Sequence, residues 1–90
     1  MLLLPSTVTH AEARDALRML AQALQREADA VVTVDASGLR QFDSAALAVL
    51  LECQRLAQAG GKGFAVRQAP AKLAELARLY GLDKLLLSAD

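Results

Sequence analysis

The chain has few residues of the kinds that support covalent, metal or aromatic chemistry. Its 90 residues include one cysteine, one histidine, no tryptophan and only three aromatic side chains. Cys53 has no second cysteine with which to form an internal disulfide, and the single histidine beside it makes no zinc ligand set. We therefore expect no metal, no other cofactor and a reducing compartment such as the cytoplasm.

The sequence also lacks a long apolar run and an excess of charge of one sign. The longest apolar run, Ala45–Leu51, has seven residues, whereas a membrane-spanning helix needs about 20. Ten basic and ten acidic residues balance, and the basic ones are scattered. Nucleic acids and anionic membranes both require a positive patch, so we expect no nucleic-acid partner and no direct membrane insertion. The segment before Pro5 is too short and lacks the basic start of a signal peptide.

Aliphatic residues are abundant, and they must form the core. Hydrophobic residues make up 54% of the chain, with 19 alanines and 18 leucines. This composition excludes disorder, and the length suits one modest core. The sequence therefore predicts a single domain over residues 1–90.

Apolar stretches with strand and helix periodicity alternate along the chain. The predicted strands cover residues 2–4, 31–34 and 64–66. The predicted helices cover about residues 10–28, 45–59 and 70–80. Because helices connect successive strands, the fold class is α/β, with about three helices and a small, mostly parallel sheet of three to four strands. Leu85–Leu87 fits either a last strand or a docked tail.

The burial of these elements follows from their apolar patterns. The β-branched run over 31–34 is typical of a strand covered on both faces. The apolar residues of the second helix extend beyond one narrow stripe, so we expect that helix to be covered on two sides. The third helix has a single apolar stripe that includes Leu76 and Tyr80.

Turn and cap signals mark the helix ends. Thr9 and Glu12 have the spacing of a capping box before the first helix. Either Asp43 or Ser44 is suited to cap the second helix. Gly81 is predicted to end the third helix in the left-handed conformation, followed by a hydrophobic contact.

Most residues whose side chains could take part in catalysis or ligand binding also have a purely structural explanation. Gly60–Gly63 lacks the glycine and the Ser or Thr of a phosphate loop and follows a helix, which favours a helix-to-strand turn. His10 has no nucleophile at an informative spacing, and Cys53 lies within an apolar helix. Asp35 and Asp43 flank one turn, and a strand-end residue and a helix cap explain them better than acid–base catalysis.

Ser44 occupies a position that suits binding. It follows a turn at the carboxyl end of a predicted parallel strand and opens a helix, where backbone amides and the helix dipole favour an anion. Open α/β sheets place functional groups at this edge. A plain helix cap is the alternative from the residues alone.

The runs Val31–Gly38 and Phe42–Leu51 resemble the STAS domain, the family named for sulfate transporters and anti-sigma factor antagonists. The family signature is a strand ending in Asp, a short turn, and Asp-Ser-Ser-Gly-Leu opening a helix. Ala45 and Ala46 depart from it, standing where the signature has Ser and Gly. The later segments fit in order and spacing, so the resemblance covers residues 31–87, with a shortened opening strand region.

Within this family, Leu76–Leu82 looks most like the MlaB-type subunits of the maintenance-of-lipid-asymmetry ABC transporter. The resemblance implies a cytoplasmic protein at the inner membrane that docks on the ATPase subunit, with Ser44 at the hydroxyl position central to docking. The candidate partner-binding residues are Leu39, Arg40, Asp43, Ser44 and Leu47.

Three functions follow as hypotheses. The first is a non-enzymatic subunit that regulates the ATPase of a phospholipid-trafficking ABC transporter. The second is an anti-sigma factor antagonist whose partner is an anti-sigma factor kinase, with Ser44 as the phosphorylation site. The third, a small enzyme, lacks a nucleophile–base pair and a phosphate loop in the sequence.

Overall fold

A computed structural model describes residues 1–83. The helices are α1 (Ala13–Gln25), α2 (Ser44–Ala59) and α3 (Ala71–Leu79). The strands are β1 (Leu2–Leu3), β2 (Thr7–Val8), β3 (Val31–Asp35), β4 (Gln41–Phe42) and β5 (Gly63–Arg67). The α/β class is confirmed, and residues 1–83 contain the three predicted helices. Leu85–Leu87 lies outside the described residues.

The main sheet has three parallel strands in the order β1-β3-β5. Its register aligns Leu2 with Val34 and Val34 with Val66. A second, two-stranded parallel sheet of β2 and β4 was not predicted. Its strands are too short to show the alternation of apolar and polar residues that predicts a strand. The carbonyl of Ser6 holds the two segments together by accepting from the amides of Arg40 and Gln41 at 2.7 and 2.9 Å.

The prediction that β3 is covered on both faces is wrong. Val32 and Val34 are fully buried, but Val31 on the opposite face is 49% exposed. The buried face meets a core to which all three helices contribute, and Leu3, on the same side as Val31, is also exposed. The β-branched residues of this segment therefore indicate that it forms a strand, but they do not indicate that the second face of the sheet is covered.

Helix α2 is covered on two sides, as predicted, because it contacts both α1 and β5. Its side chains Leu50, Cys53 and Ala57 are completely buried. The amino end of α2 is consequently held in place by the core. None of the helices within residues 1–83 is long and apolar enough to cross a membrane.

Helix α1 begins at Ala13, three residues later than predicted. The predicted capping box is half formed: the Glu12 carboxylate accepts from the Thr9 amide at 2.9 Å. The Thr9 hydroxyl donates to the same carboxylate instead of accepting from the Glu12 amide. That amide donates to the Thr9 carbonyl at 3.0 Å, so residues 9–12 form a turn before the helix.

Two helix ends are closed by left-handed glycines. Gly81 has φ +71°, and the Leu82 amide donates to the Ala77 carbonyl at 2.7 Å, which confirms the predicted C-cap. Gly61 has φ +77°, and Lys62 donates to the Ala57 carbonyl at 2.9 Å in the same manner. Gly60–Gly63 is therefore the helix-to-strand turn that the sequence favoured.

The buried thiol of Cys53 gives a direct test of the core. Burial raises the pKa of this thiol to about 11, so the reactive thiolate is scarce at neutral pH. We expect native protein to resist an aromatic disulfide reagent at pH 8, and urea-unfolded protein to react at once. Stoichiometric labelling within minutes, with unchanged circular dichroism, would contradict this packing.

Candidate functional site

An open depression of about 840 Å³ lies at the amino end of α2. Strand β4 and helix α3 flank it. Its lining residues are Thr9, Arg40, Gln41, Phe42, Asp43, Ser44, Lys72, Leu76 and Tyr80. Three of the residues predicted from sequence, Arg40, Asp43 and Ser44, are therefore brought together here with residues from distant segments.

Asp43 is the N-cap of α2, which settles the choice between Asp43 and Ser44. One carboxylate oxygen accepts from the Ala45 amide at 2.8 Å and the other accepts from the His10 amide at 3.1 Å. These two amides lower the pKa of the Asp43 carboxyl. The side chain thus ties the turn before α1 to the start of α2, and both of its oxygens are engaged.

Ser44 is the first residue of α2 and is exposed. Because Asp43 caps the helix, the Ser44 hydroxyl is not needed for that task. It makes no hydrogen bond to another residue within 1–83. The hydroxyl is accordingly available to donate to, or accept from, a group outside the chain.

Two exposed cations line the same depression as this hydroxyl. Arg40 precedes β4 and Lys72 lies in the first turn of α3. Neither side chain forms an ion pair with the part of the chain that the structure describes. The partial positive charge at the amino end of α2 has the same sign as these groups, so the depression favours an anionic group.

Leu39 and Leu47 were predicted to bind the partner, which requires exposed side chains, but both side chains are buried. Their exposures are only 3% and 2%, so their side chains belong to the core beneath the depression. This burial argues against direct partner contact by Leu39, whereas Leu47 also lines a small apolar groove that adjoins the depression. Leu39 directly precedes Arg40 and Leu47 lies in α2, so both residues anchor this part of the chain to the core.

Sequence reasoning missed the contribution of α3. Tyr80 was expected in the buried stripe of this helix, but it is 57% exposed and lines the depression. The helix ends at Leu79, and Tyr80 is the cap residue after it, so the helical period no longer directs it toward the core. The only signal was the run Leu76–Leu82, which supported the family resemblance.

A second, smaller groove adjoins the depression on the side of α2. Its volume is about 200 Å³ and its lining is mostly apolar. The lining residues are Ser44, Leu47, Ala48, Leu51, Tyr80 and Leu82. Ser44 and Tyr80 line both spaces, so the polar depression and the apolar groove form one continuous surface.

Asp35 performs a separate structural task. Its carboxylate accepts from the Ser37 amide at 2.8 Å, and this bond lowers the pKa of the Asp35 carboxyl. Asp35 does not line the depression around Asp43. The interpretation of the two acids as a strand-end residue and a helix cap is confirmed.

The lowered pKa of Asp43 predicts an acid-dependent loss of stability. A carboxyl whose pKa is lower folded than unfolded stabilises the fold above its unfolded pKa of about 3.9, and this contribution disappears as the pH falls through the folded pKa. Asn also caps helices but does not titrate. We expect Asp43→Asn to flatten the fall in Tm below about pH 4, in thermal melts from pH 6 to 2.

Asp15→Asn is the matched control, because that carboxylate accepts no backbone amide in the described residues. Its melting curve should fall with pH as steeply as that of the wild type. Equal slopes for wild type and Asp43→Asn would show that the two amides do not hold the charged carboxylate.

An α/β domain with parallel strands, helices on one face of its sheet and a free serine at the start of the second helix has the architecture of a STAS domain. The family described as Mlab, STAS domain matches residues 1–88, and the chain belongs to this family. The resemblance noted over residues 31–87 is thereby confirmed and extended toward the amino end. No curated protein matches the chain.

Proposed function

We propose that this chain is a non-enzymatic subunit that docks on and regulates the cytoplasmic ATPase of a phospholipid-trafficking ABC transporter. The observation that supports it best is the free, exposed hydroxyl of Ser44 at a preformed surface in an MlaB-type STAS domain. Such a subunit resides in the cytoplasm and reaches the inner membrane through its partner.

The surface has the mixture of groups that protein interfaces use. The depression supplies hydrogen-bonding groups and the adjoining groove supplies apolar area. Protein interfaces combine an apolar centre with a polar rim in this manner. Because Asp43 and the core already hold the start of α2, docking requires little ordering of this backbone, which limits the entropic cost of binding.

Regulation follows from differential binding. A subunit that binds one conformation of the ATPase more tightly than another shifts the population toward that conformation. It also stabilises the bound form against unfolding, in proportion to the logarithm of its concentration over the dissociation constant. Neither effect requires chemistry by this chain.

The proposal is tested by co-expression of the tagged chain with an ABC transporter ATPase from a neighbouring gene of the same genome. We expect the ATPase to co-purify and to show a higher hydrolysis rate or a higher Tm than the ATPase alone. The isolated chain should hydrolyse no ATP. Failure to form a complex at low and moderate salt would contradict the proposal, as would ATP turnover by the chain that a single substitution removes.

The second candidate, an anti-sigma factor antagonist, is favoured by the same free hydroxyl. Because Asp43 caps α2, a kinase has access to Ser44 without unwinding the helix. We expect an anti-sigma factor kinase encoded nearby to add one phosphate to the wild type and none to Ser44→Ala, measured by mass spectrometry. Unmodified wild-type protein would contradict this candidate.

A further inference from the structure

We propose that the partner contributes a carboxylate side chain next to a large apolar side chain, on one surface element. The carboxylate lies between Arg40 and Lys72, and the apolar side chain fills the groove between α2 and Tyr80. This inference rests on the proposed docking function and adds the chemistry of the partner surface.

The polar depression carries exposed positive charge. Arg40 and Lys72 line one depression without an ion pair in the described part of the chain. Among the described residues that line it, the only carboxylate is that of Asp43, which already accepts from two backbone amides. An incoming carboxylate therefore finds two cationic donors and the Ser44 hydroxyl, and bonds to charged groups are stronger than neutral ones.

The adjoining groove presents exposed hydrophobic area next to that charge. The groove is lined by Leu51, Ala48 and Leu82, and Tyr80 stands at its edge with more than half of its surface exposed. Leu79, the preceding residue, is 79% exposed. Covering such area with an apolar side chain is favourable, and tyrosine is frequent among the residues that dominate binding energy.

The depression and the groove are continuous because Ser44 and Tyr80 line both. A free phosphate or a lipid headgroup would match the cations but leave the apolar groove uncovered. A single protein element with an acidic and an apolar side chain covers both. The balanced charge of the chain and its scattered basic residues disfavour an anionic membrane, so we assign this surface to a protein partner.

The test measures the affinity of the purified ATPase for charge-reversed variants by calorimetry, at low and moderate salt. We expect Arg40→Glu/Lys72→Glu to weaken binding at least about 30-fold, and wild-type affinity to fall as salt rises. Tyr80→Ser should weaken binding about tenfold while keeping the salt dependence. Changing the contacted acid of the ATPase to lysine should restore binding to the charge-reversed variant.

Arg14→Glu/Arg18→Glu is the matched control, because it reverses two exposed charges on α1 outside this surface. Its affinity should stay within twofold of the wild type, and circular dichroism should show all variants folded.

If the wild type binds but Arg40→Glu/Lys72→Glu binds equally well, the inference fails and the docking function stands. If the wild type does not bind the ATPase, both the inference and the proposed docking function fail. Binding to phosphatidylglycerol vesicles that depends on Arg40 and Lys72, without ATPase binding, would assign the surface to a membrane and overturn the inference.

Discussion

Ser44→Arg should strongly weaken the proposed complex with the ATPase while leaving the domain folded. The side chain is exposed and Asp43 caps the helix, so the fold loses no internal bond. A cation at the amino end of α2 costs about 0.3–1 kcal/mol. At the interface, however, the new side chain places bulk and a third positive charge over the shared part of the depression and groove. We expect affinity to fall at least about 30-fold, the equivalent of about 2 kcal/mol.

Two further substitutions at this position complete the measurement. Ser44→Ala should fold normally and lose only the hydroxyl, so its affinity should lie between those of wild type and Ser44→Arg. Ser44→Glu should also fold, because the helix dipole tolerates a negative charge there. In the transporter subunit it should weaken ATPase docking, whereas in an antagonist it should mimic phosphoserine and release the anti-sigma partner. Unchanged affinity for every partner in both Ser44→Arg and Ser44→Glu would show that Ser44 does not belong to the interface.

Leu50→Ala should cause the largest loss of stability. Leu50 has no exposed surface and lies in α2, which packs against both α1 and β5. Truncating such a leucine costs about 2–5 kcal/mol, because the transfer free energy is lost and a cavity remains. A domain has only about 5–15 kcal/mol in total. We expect Tm to fall by roughly 10 °C or more, with a parallel loss of urea stability.

Leu79→Ala is the matched control for this substitution, because the same side chain is truncated where it is 79% exposed. Its free energy of unfolding should stay within about 0.5 kcal/mol of the wild type. A loss below about 1 kcal/mol for Leu50→Ala would contradict the packing of α2, and the start of that helix would then not be held in place by the core.

The sequence predicted those parts of the fold that have a period or a distinctive terminator. Both ends of helix α2 were predicted to within one residue, because Asp43 precedes and Gly60 follows a long apolar pattern. The strands β3 and β5 were found because five-residue segments suffice to show β-branched and apolar preference. By contrast, β2 and β4 have two residues each, and only their mutual pairing, which is a tertiary property, distinguishes them from a turn.

The site was predictable to the extent that it is local in sequence. Arg40, Asp43 and Ser44 lie within a few residues of one another, and their connection to the start of α2 was evident. Lys72 and Tyr80 reach the same depression only because the fold brings α3 and its end near the start of α2. The burial of Leu39 and Leu47 likewise depends on packing, because a leucine beside a charged residue is compatible with surface or core.

The most direct test of the account is amide hydrogen exchange of the chain with and without the ATPase. The account predicts new protection over residues 40–44 and 72–82, and none on the open face of the main sheet around Thr33 and Ala65. Protection confined to that open face, or to α1, would show that the partner docks elsewhere and would contradict the site at the amino end of α2.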